Sequence, residues 1–513
     1  MASSEPSLWA IKNLKNILPK ETFNLFILIF TIDFLISTSF CMVRNIRLAM
    51  VVTGSDAGSE LIPYIQFWLG LPAAFIMVAI LARLARVFSA EKIFYFVVIA
   101  FTGFFICFAL CIFPARYDFH QAFQSPPGTN AFWLMFELWD LSAFYVIAGL
   151  WKIMILPVLF WGYVNRRILM KEAKKIYSPL MLAGAVAGIV AGNISDLCAK
   201  ESFLQLFNFQ GLSSWHSALV IQIGILTLLA GLIMICFSQI AKLLRRRHVD
   251  VADTVAQVKD KKNEYQKQLS LASSLSYFFK RPTLCALGII VIASYIAISL
   301  CEIVYLNKLG EVYPNPIDFC AFQGRFSYWT GSAIAIFALF ISTPLVLRGK
   351  WLTLALITPA LLLVTSIIFF FFTIFGYMPW MNEFTRSVFN CSPIFIAAMA
   401  GAFMRTVYSA SKNTILSSVK ELTFVTLSGE DQLKGKFVVD GIGSRFGNSS
   451  ASLISQSLIF MFGSLDGCLP LVAFIAIAFM ALWTRSALQI GRHMIVYAGD
   501  DKSSTKNLQK VAV

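Results

Sequence analysis

Charge is scarce in this chain. Asp, Glu, Lys and Arg make up only 13% of its 513 residues, where a soluble globular domain carries about 25%. An ordinary soluble fold is therefore excluded. Histidine is scarcer still. The four present (His120, His216, His248 and His493) form no pair at metal-ligand spacing, so no metal site is expected. The ten cysteines include no CxxC pair, and Cys41, Cys107, Cys111, Cys236, Cys285 and Cys301 lie in apolar runs, so a disulfide framework is not expected. The glycine-rich run Gly441-Ile-Gly-Ser-Arg-Phe-Gly447 lacks the Lys-Ser/Thr that closes a phosphate loop, and no strand precedes it. Its glycines suit close helix packing instead. No nucleophile or metal cluster lies in the apolar runs, which argues against an enzyme and against a cofactor. Those runs do not alternate, so a membrane β-barrel is excluded as well. The first run, Phe23–Val43, is too long for a signal core and has no small-residue cleavage site, so it is read as a retained span.

Apolar surface is what the chain has in excess. It is 58% hydrophobic, with 48 Phe. A membrane helix needs about 20 apolar residues, and only helices or closed barrels satisfy their backbone in lipid. Runs at 22–43, 63–83, 93–114, 140–163, 178–197, 217–239, 283–306, 326–346, 351–377, 392–410, 438–463 and 466–485 predict an all-α polytopic membrane protein with about 12 transmembrane helices. The stretch 131–163 is long enough to hold a short extra helix before the fourth span. Basic residues alternate between loops. Arg83, Arg86 and Lys92, then Arg166, Arg167, Lys171, Lys174 and Lys175, then Arg348 and Lys350 lie on one side; Arg116, Lys200 and Arg386 stand alone on the other. With the rich side cytoplasmic, both termini are inside. The same pattern accounts for the net charge of +15 without nucleic acid as a partner. Membrane lipids are the expected surroundings and a monomer the expected state.

A basic stretch at 240–282, from Lys242 to Arg281, divides six spans from six. The expected organisation is a six-helix bundle over 1–239, a cytoplasmic linker over 240–282, a second bundle over 283–490 and a cytoplasmic tail over 491–513. This layout resembles the major facilitator superfamily, in which substrate sites lie near the midplane between halves.

The informative residues are the charges left inside or at the mouths of the spans: Arg44, Arg47, Glu137, Asp140, Lys152, Glu302, Lys308, Lys436, Asp440 and Arg445. Each costs roughly 2.5–3.5 kcal/mol near the bilayer centre, so each is expected to face a cavity or a partner. The excess is basic, which suits an anionic substrate. Arg44 and Arg47 are three apart and share one helix face. Two guanidiniums suit bidentate phosphate contacts; a pair snorkelling to lipid head groups is the alternative. Lys412 and Lys420 are read as solvated loop cations. Glu137 and Asp140 are read as the outer mouth of the fourth helix.

Several motifs together resemble the bacterial and plastid nucleotide transporters, the non-mitochondrial ATP/ADP translocase family. Arg44-Asn-Ile-Arg47-Leu, Val51-Val-Thr53, Ser59-Glu-Leu-Ile-Pro-Tyr64 and Leu71-Pro-Ala-Ala74 follow the family's first-helix pattern. Tyr145-Val-Ile-Ala-Gly-Leu-Trp151, Leu159-Phe-Trp-Gly-Tyr-Val-Asn165 and Glu172-Ala-Lys-Lys175 resemble its fourth span and the loop after it. Cys301-Glu302-Ile-Val-Tyr305, Lys420-Glu421, Lys434-Gly-Lys436, Asp440 and Arg445-Phe-Gly447 resemble motifs in its second half. A mitochondrial-type carrier, with six spans and a repeated acidic-basic motif, is not matched.

The departures are specific. The family's first-motif Lys is Arg47 here, and its flanking acids are Asn45 and Leu48. Its fourth-span Glu is Gly149, with a new cation, Lys152, one turn along. The resemblance implies a nucleotide transporter of a bacterial inner membrane, working by alternating access, with nucleoside di- or triphosphate as its partner. It implies phosphate binding at Arg47 and Lys436, to which charge and helix position add Arg44, Lys152 and Arg445; Glu302 and Asp440 join the substrate site through their motifs. Glu302 is the coupling candidate, either as a proton carrier or as a salt-bridge switch. The lost acids lead us to expect proton-linked net import; obligatory nucleotide exchange is the alternative, and a facilitator for another organic anion the third reading.

Overall fold

The computed structural model describes residues 20–55, 57–116, 130–165, 170–207, 211–267, 282–342, 345, 351–425, 435, 439 and 443–511. Its described residues are helical throughout apart from turns. In chain order the long helices are α1 (Lys20–Thr53), α2 (Gly58–Val87), α3 (Ala90–Arg116), α4 (Trp139–Val164), α5 (Met170–Cys198) and α6 (Ser214–Lys267). They continue with α7 (Pro282–Val312), α8 (Pro316–Ile336), α9 (Trp351–Phe375), α10 (Pro393–Phe424), α11 (Ser444–Phe462) and α12 (Leu469–Val511). Each expected span overlaps one of these; parts of those at 326–346 and 438–463 lie outside the described residues. Among the described residues, nine are long and apolar enough to cross a bilayer, and a tenth is reached by counting α5 with the short helix bent 77° from it. Helices α8 and α11 are not among them; each carries an arginine, Arg325 or Arg445, along with Ser, Gly and Gln.

The extra helix before α4 is Ala131–Glu137. It is capped by Asn130, whose side chain accepts the Phe132 amide hydrogen bond, and it stops at Leu138, where the backbone leaves helical values. Wider π-type turns interrupt α2, α3, α4 and α10, at Ile65–Gly70, Phe108–Ile112, Met154–Phe160 and Lys412–Leu416, and another, Phe337–Ser342, follows α8. The one in α4 has a local cause: Pro157 has no N–H to donate and its ring pushes the preceding turn open. Such turns commonly sit at functional positions.

Packing groups the described chain into two compact units, one of residues 1–259 and 306–339, the other of 260–305 and 340–513. In the first unit, α8 packs along α5 and α1. Small residues make that approach possible. A Cβ on Gly192 would lie 2.5 Å from the Gly324 carbonyl oxygen, and one on Gly331 would lie 2.5 Å from that of Ala185. These are backbone contacts, the mode by which membrane helices gain dispersion energy where lipid offers no hydrophobic drive. Gly192→Val should therefore force α5 and α8 apart at a cost of about 1–3 kcal/mol. A thermal-unfolding midpoint in detergent that matches the unsubstituted protein would contradict the close approach. In the second unit, α9 packs against α10 and α12. Gly401 there faces the rings of Tyr305 and Phe369, at 2.7 and 2.9 Å from where a Cβ would be.

Candidate functional site

In the first unit the site grows from one stripe of α1. Asp33, Ser37, Phe40, Arg44 and Arg47 recur at alternating steps of four and three, which keeps them on one helical face. Arg44 and Arg47 nevertheless diverge, because a three-residue step leaves about 60° between side chains. Arg44 Nη2 donates to Ser327 Oγ of α8 at 3.0 Å. Arg47 turns to α4, with Cζ 4.6 Å from the centroid of the Tyr145 ring. The two guanidiniums thus do not form one fork. Between them, fully buried Asn45 donates to Ser195 Oγ and accepts from Ser327 Oγ, both at 3.2 Å. A neutral amide here knits α1, α5 and α8 together without a charge to desolvate.

Around Arg47 the wall is aromatic and small. Gln66 Nε2 donates to the Tyr145 hydroxyl at 2.8 Å. A Cβ at position 149 would lie 2.8 Å from Arg47 Nη1, so glycine there makes the space the guanidinium occupies. Arg47 Nε is buried without a hydrogen-bond partner. No carboxylate pairs with Arg47 among the described residues. This is a cation held on a ring face with its Nε–H unpaired among the described residues, which is an anion-accepting arrangement.

One turn along α4, Lys152 Nζ lies 4.8 Å from the Phe40 ring centroid. Trp151 beside it is locked by its Nε1 bond to Ser39 Oγ at 2.9 Å and by edge contacts with Phe101 and Phe105. Asp33 lies on the same α1 face as Ser37 and Phe40, the ring against which Lys152 is held. Sequence reading missed Asp33, although its place in the α1 stripe is the signal that finds it. Asp140 pairs with Arg116 at 3.7 Å, and buried Lys308 pairs with Glu311 one turn on.

In the second unit, Glu302 of α7 accepts from Arg405 Nη2 of α10 at 2.8 Å. Arg405 also lies 5.5 Å from the Tyr305 ring centroid. The salt-bridge reading of Glu302 thus has a named partner, one that sequence reading overlooked: a single cation inside the apolar run of α10. Lys412 corrects another expectation. It is not a solvated loop cation; α10 continues through it, and its Nζ sits 4.1 Å from the Tyr295 ring centroid. Arg445 is exposed at the start of α11. Lys436 and Asp440 lie outside the described residues.

Among the described residues, the long apolar helices with ion pairs and ring-held cations inside them are those of a polytopic membrane protein, and solved major-facilitator transporters give the fold. Solved structures of that fold superpose on most of the chain. The E. coli xylose transporter XylE in an inward-open conformation does so with a TM-score of 0.53 at 12% identity, covering 91% of this chain and 95% of that one. A D-xylose–proton symporter also reaches 0.53, at 14% identity over 91% and 96%. These likenesses concern the fold alone. The family model described as TLC ATP/ADP transporter matches residues 5–494. The chain is 30% identical over 498 residues to ADP,ATP carrier protein 1 of Chlamydia muridarum, covering 94% of this chain and 90% of that protein. It is 31% identical over 499 residues to the Chlamydia pneumoniae protein of the same name, covering 94% and 93%. It is 27% identical over 476 residues to ADP,ATP carrier protein 3 of Rickettsia conorii, covering 89% and 92%. The chain belongs to the TLC ATP/ADP transporter family.

Proposed function

We propose that this protein carries nucleoside di- and triphosphates across a bacterial inner membrane by alternating access, exchanging one nucleotide for another, with both termini cytoplasmic. The relatives named as ADP,ATP carriers make ADP and ATP the first substrates to test. The observation that carries the reading is Arg47: a cation over the Tyr145 ring, with open donors, no acid at 149 and no carboxylate partner among the described residues. A phosphate supplies the missing counter-charge. An empty carrier has none to offer, so closing around an empty site buries an uncompensated guanidinium, which is costly. That asymmetry favours exchange over empty return. Lys436 is proposed as the second phosphate ligand on its motif alone, with Lys152, Arg44, Asp440 and Arg445 contributing positive field or positioning. The two six-span halves at 1–239 and 283–490 are proposed as the moving parts.

Proton-linked net import is the second reading, and Asp33 favours it. Asp33 is an acid on the α1 face that also carries Arg44 and Arg47, and a carboxylate inside a span is by default a candidate proton carrier, where Glu302 is engaged with Arg405. Uptake of labelled ATP into proteoliposomes separates the two. Exchange predicts at least about tenfold more uptake with internal ADP than without, insensitive to a protonophore. Equal uptake into empty vesicles, driven by an imposed proton gradient, overturns exchange in favour of import.

A further inference from the structure

Away from Arg47, within the second unit, lies a cavity of about 190 Å³. Its walls come from α7 (Ser294 and Tyr295), α9 (Trp351), α10 (Lys412 and Lys420), α11 (Ser444) and α12 (Trp483). Three observations give it a chemical character. First, its polar lining holds two lysines, serine and tyrosine hydroxyls and two indoles, with no acidic residue among the described lining residues; the Trp351 N–H is already given to Thr423 Oγ1 at 3.1 Å, which leaves that of Trp483. Second, Trp483 is completely buried, yet its Nε1 hydrogen has no partner among the described residues. A buried donor left unmade costs about 1–3 kcal/mol, so an indole N–H lining a cavity calls for an acceptor there. Third, the Lys412 ammonium stands at the wide turn Lys412–Leu416, held 4.1 Å from the Tyr295 ring and 5.5 Å from the Tyr408 ring. Both are neutral partners, which leave its charge uncancelled.

Size narrows the ligand. Pockets that enclose whole small-molecule ligands run to about 300–1,000 Å³; this one is smaller, and suits one anionic group rather than a nucleotide.

We propose that this cavity is a binding site for a single phosphate group, distinct from the Arg47 site, with Lys412 as its charge partner and the Trp483 N–H as a fixed donor. The phosphate is either free inorganic phosphate or the head group of an anionic lipid, and the chemistry is the same for both. The site does not depend on the nucleotide reading, because none of its residues belongs to the Arg47 cluster.

The test uses the full-length protein, delipidated in detergent, with two probes. Inorganic phosphate is titrated by calorimetry, and retention of phosphatidylglycerol against phosphatidylcholine is measured by native mass spectrometry. The variants are Lys412→Met, Trp483→Phe and Arg47→Gln. We expect Lys412→Met to weaken one probe at least tenfold and Trp483→Phe to weaken it severalfold, while Arg47→Gln leaves that binding in place. Loss on the phosphate arm identifies the free ion as the ligand; loss of phosphatidylglycerol but not phosphatidylcholine identifies the lipid. If both probes bind the Lys412 and Trp483 variants as they bind the unsubstituted protein, or if neither probe binds at all, the site does not exist. Loss of all phosphate binding in Arg47→Gln alone likewise overturns it. Should Lys412→Met fail to fold, Trp483→Phe decides by itself, because it removes the N–H donor and keeps an aromatic six-membered ring at the position.

Discussion

Replacing Arg47 by glutamine should weaken nucleotide binding about 100-fold while leaving the protein folded. The magnitude follows from the contacts at stake. A hydrogen bond to a charged group contributes about 1.5–3 kcal/mol, and a guanidinium presents two such bonds in parallel to a phosphate. Tyr145 stays in place in the variant, held by Gln66, so the pocket wall survives the substitution. Arg47→Lys keeps the charge and loses the fork, and should cost only about tenfold. Equilibrium binding of labelled ATP to detergent-purified protein measures both. Wild-type affinity in the glutamine variant would remove Arg47 from the phosphate site, and with it the main support for the proposed function.

The second large effect concerns Glu302. Glu302→Gln should leave nucleotide binding within a few-fold of normal and slow transport at least tenfold. The carboxylate meets Arg405 across α7 and α10 at 2.8 Å, and the pair is only partly shielded, with Glu302 35% and Arg405 13% exposed. Its Coulomb energy is therefore well below that of a fully buried pair, whose breaking by removal of one partner costs about 3–5 kcal/mol. A bond of intermediate strength can be made and broken within a transport cycle. Exchanging the two residues, Glu302→Arg with Arg405→Glu, should restore much of the rate if the pairing itself matters. If the exchanged pair stays inactive while Glu302→Asp is fully active, the carboxylate acts by its own protonation rather than through Arg405.

The helices were readable because a bilayer imposes one rule on every span. Long apolar runs such as that of α3 and the turn residue Asn130 before Ala131–Glu137 leave little freedom in where helices start. Pairing between helices was not readable. Nothing local marks Gly192 as the partner of Gly324, since both depend on a contact far apart in sequence. Single charges in apolar runs were the other blind spot. Asp33 and Arg405 sit in stretches so apolar that their average hides them, and only the α1 stripe or the ion pair with Glu302 brings them out. Lys412 was misread for a different reason. The polar residues from Ser409 to Asn413 look like the end of a span, whereas the helix absorbs them with one wide turn and runs on to Phe424.

The contact between α5 and α8 has a kinetic side. Where surfaces meet through glycine, alanine and serine, few rotamers are frozen on closing and few long side chains have to separate on opening. Their hold comes from many shallow backbone contacts, the outer Arg325–Asp196 ion pair across the seam at 3.5 Å, and the bonds by which Arg44 and Asn45 of α1 tie Ser195 and Ser327 together. Such a seam behaves like a ground-glass joint rather than a zip: smooth, quick to part along its whole length and quick to reseat in the same register. Bulk added anywhere along it would first be felt as slower reseating, before the fold itself began to fail.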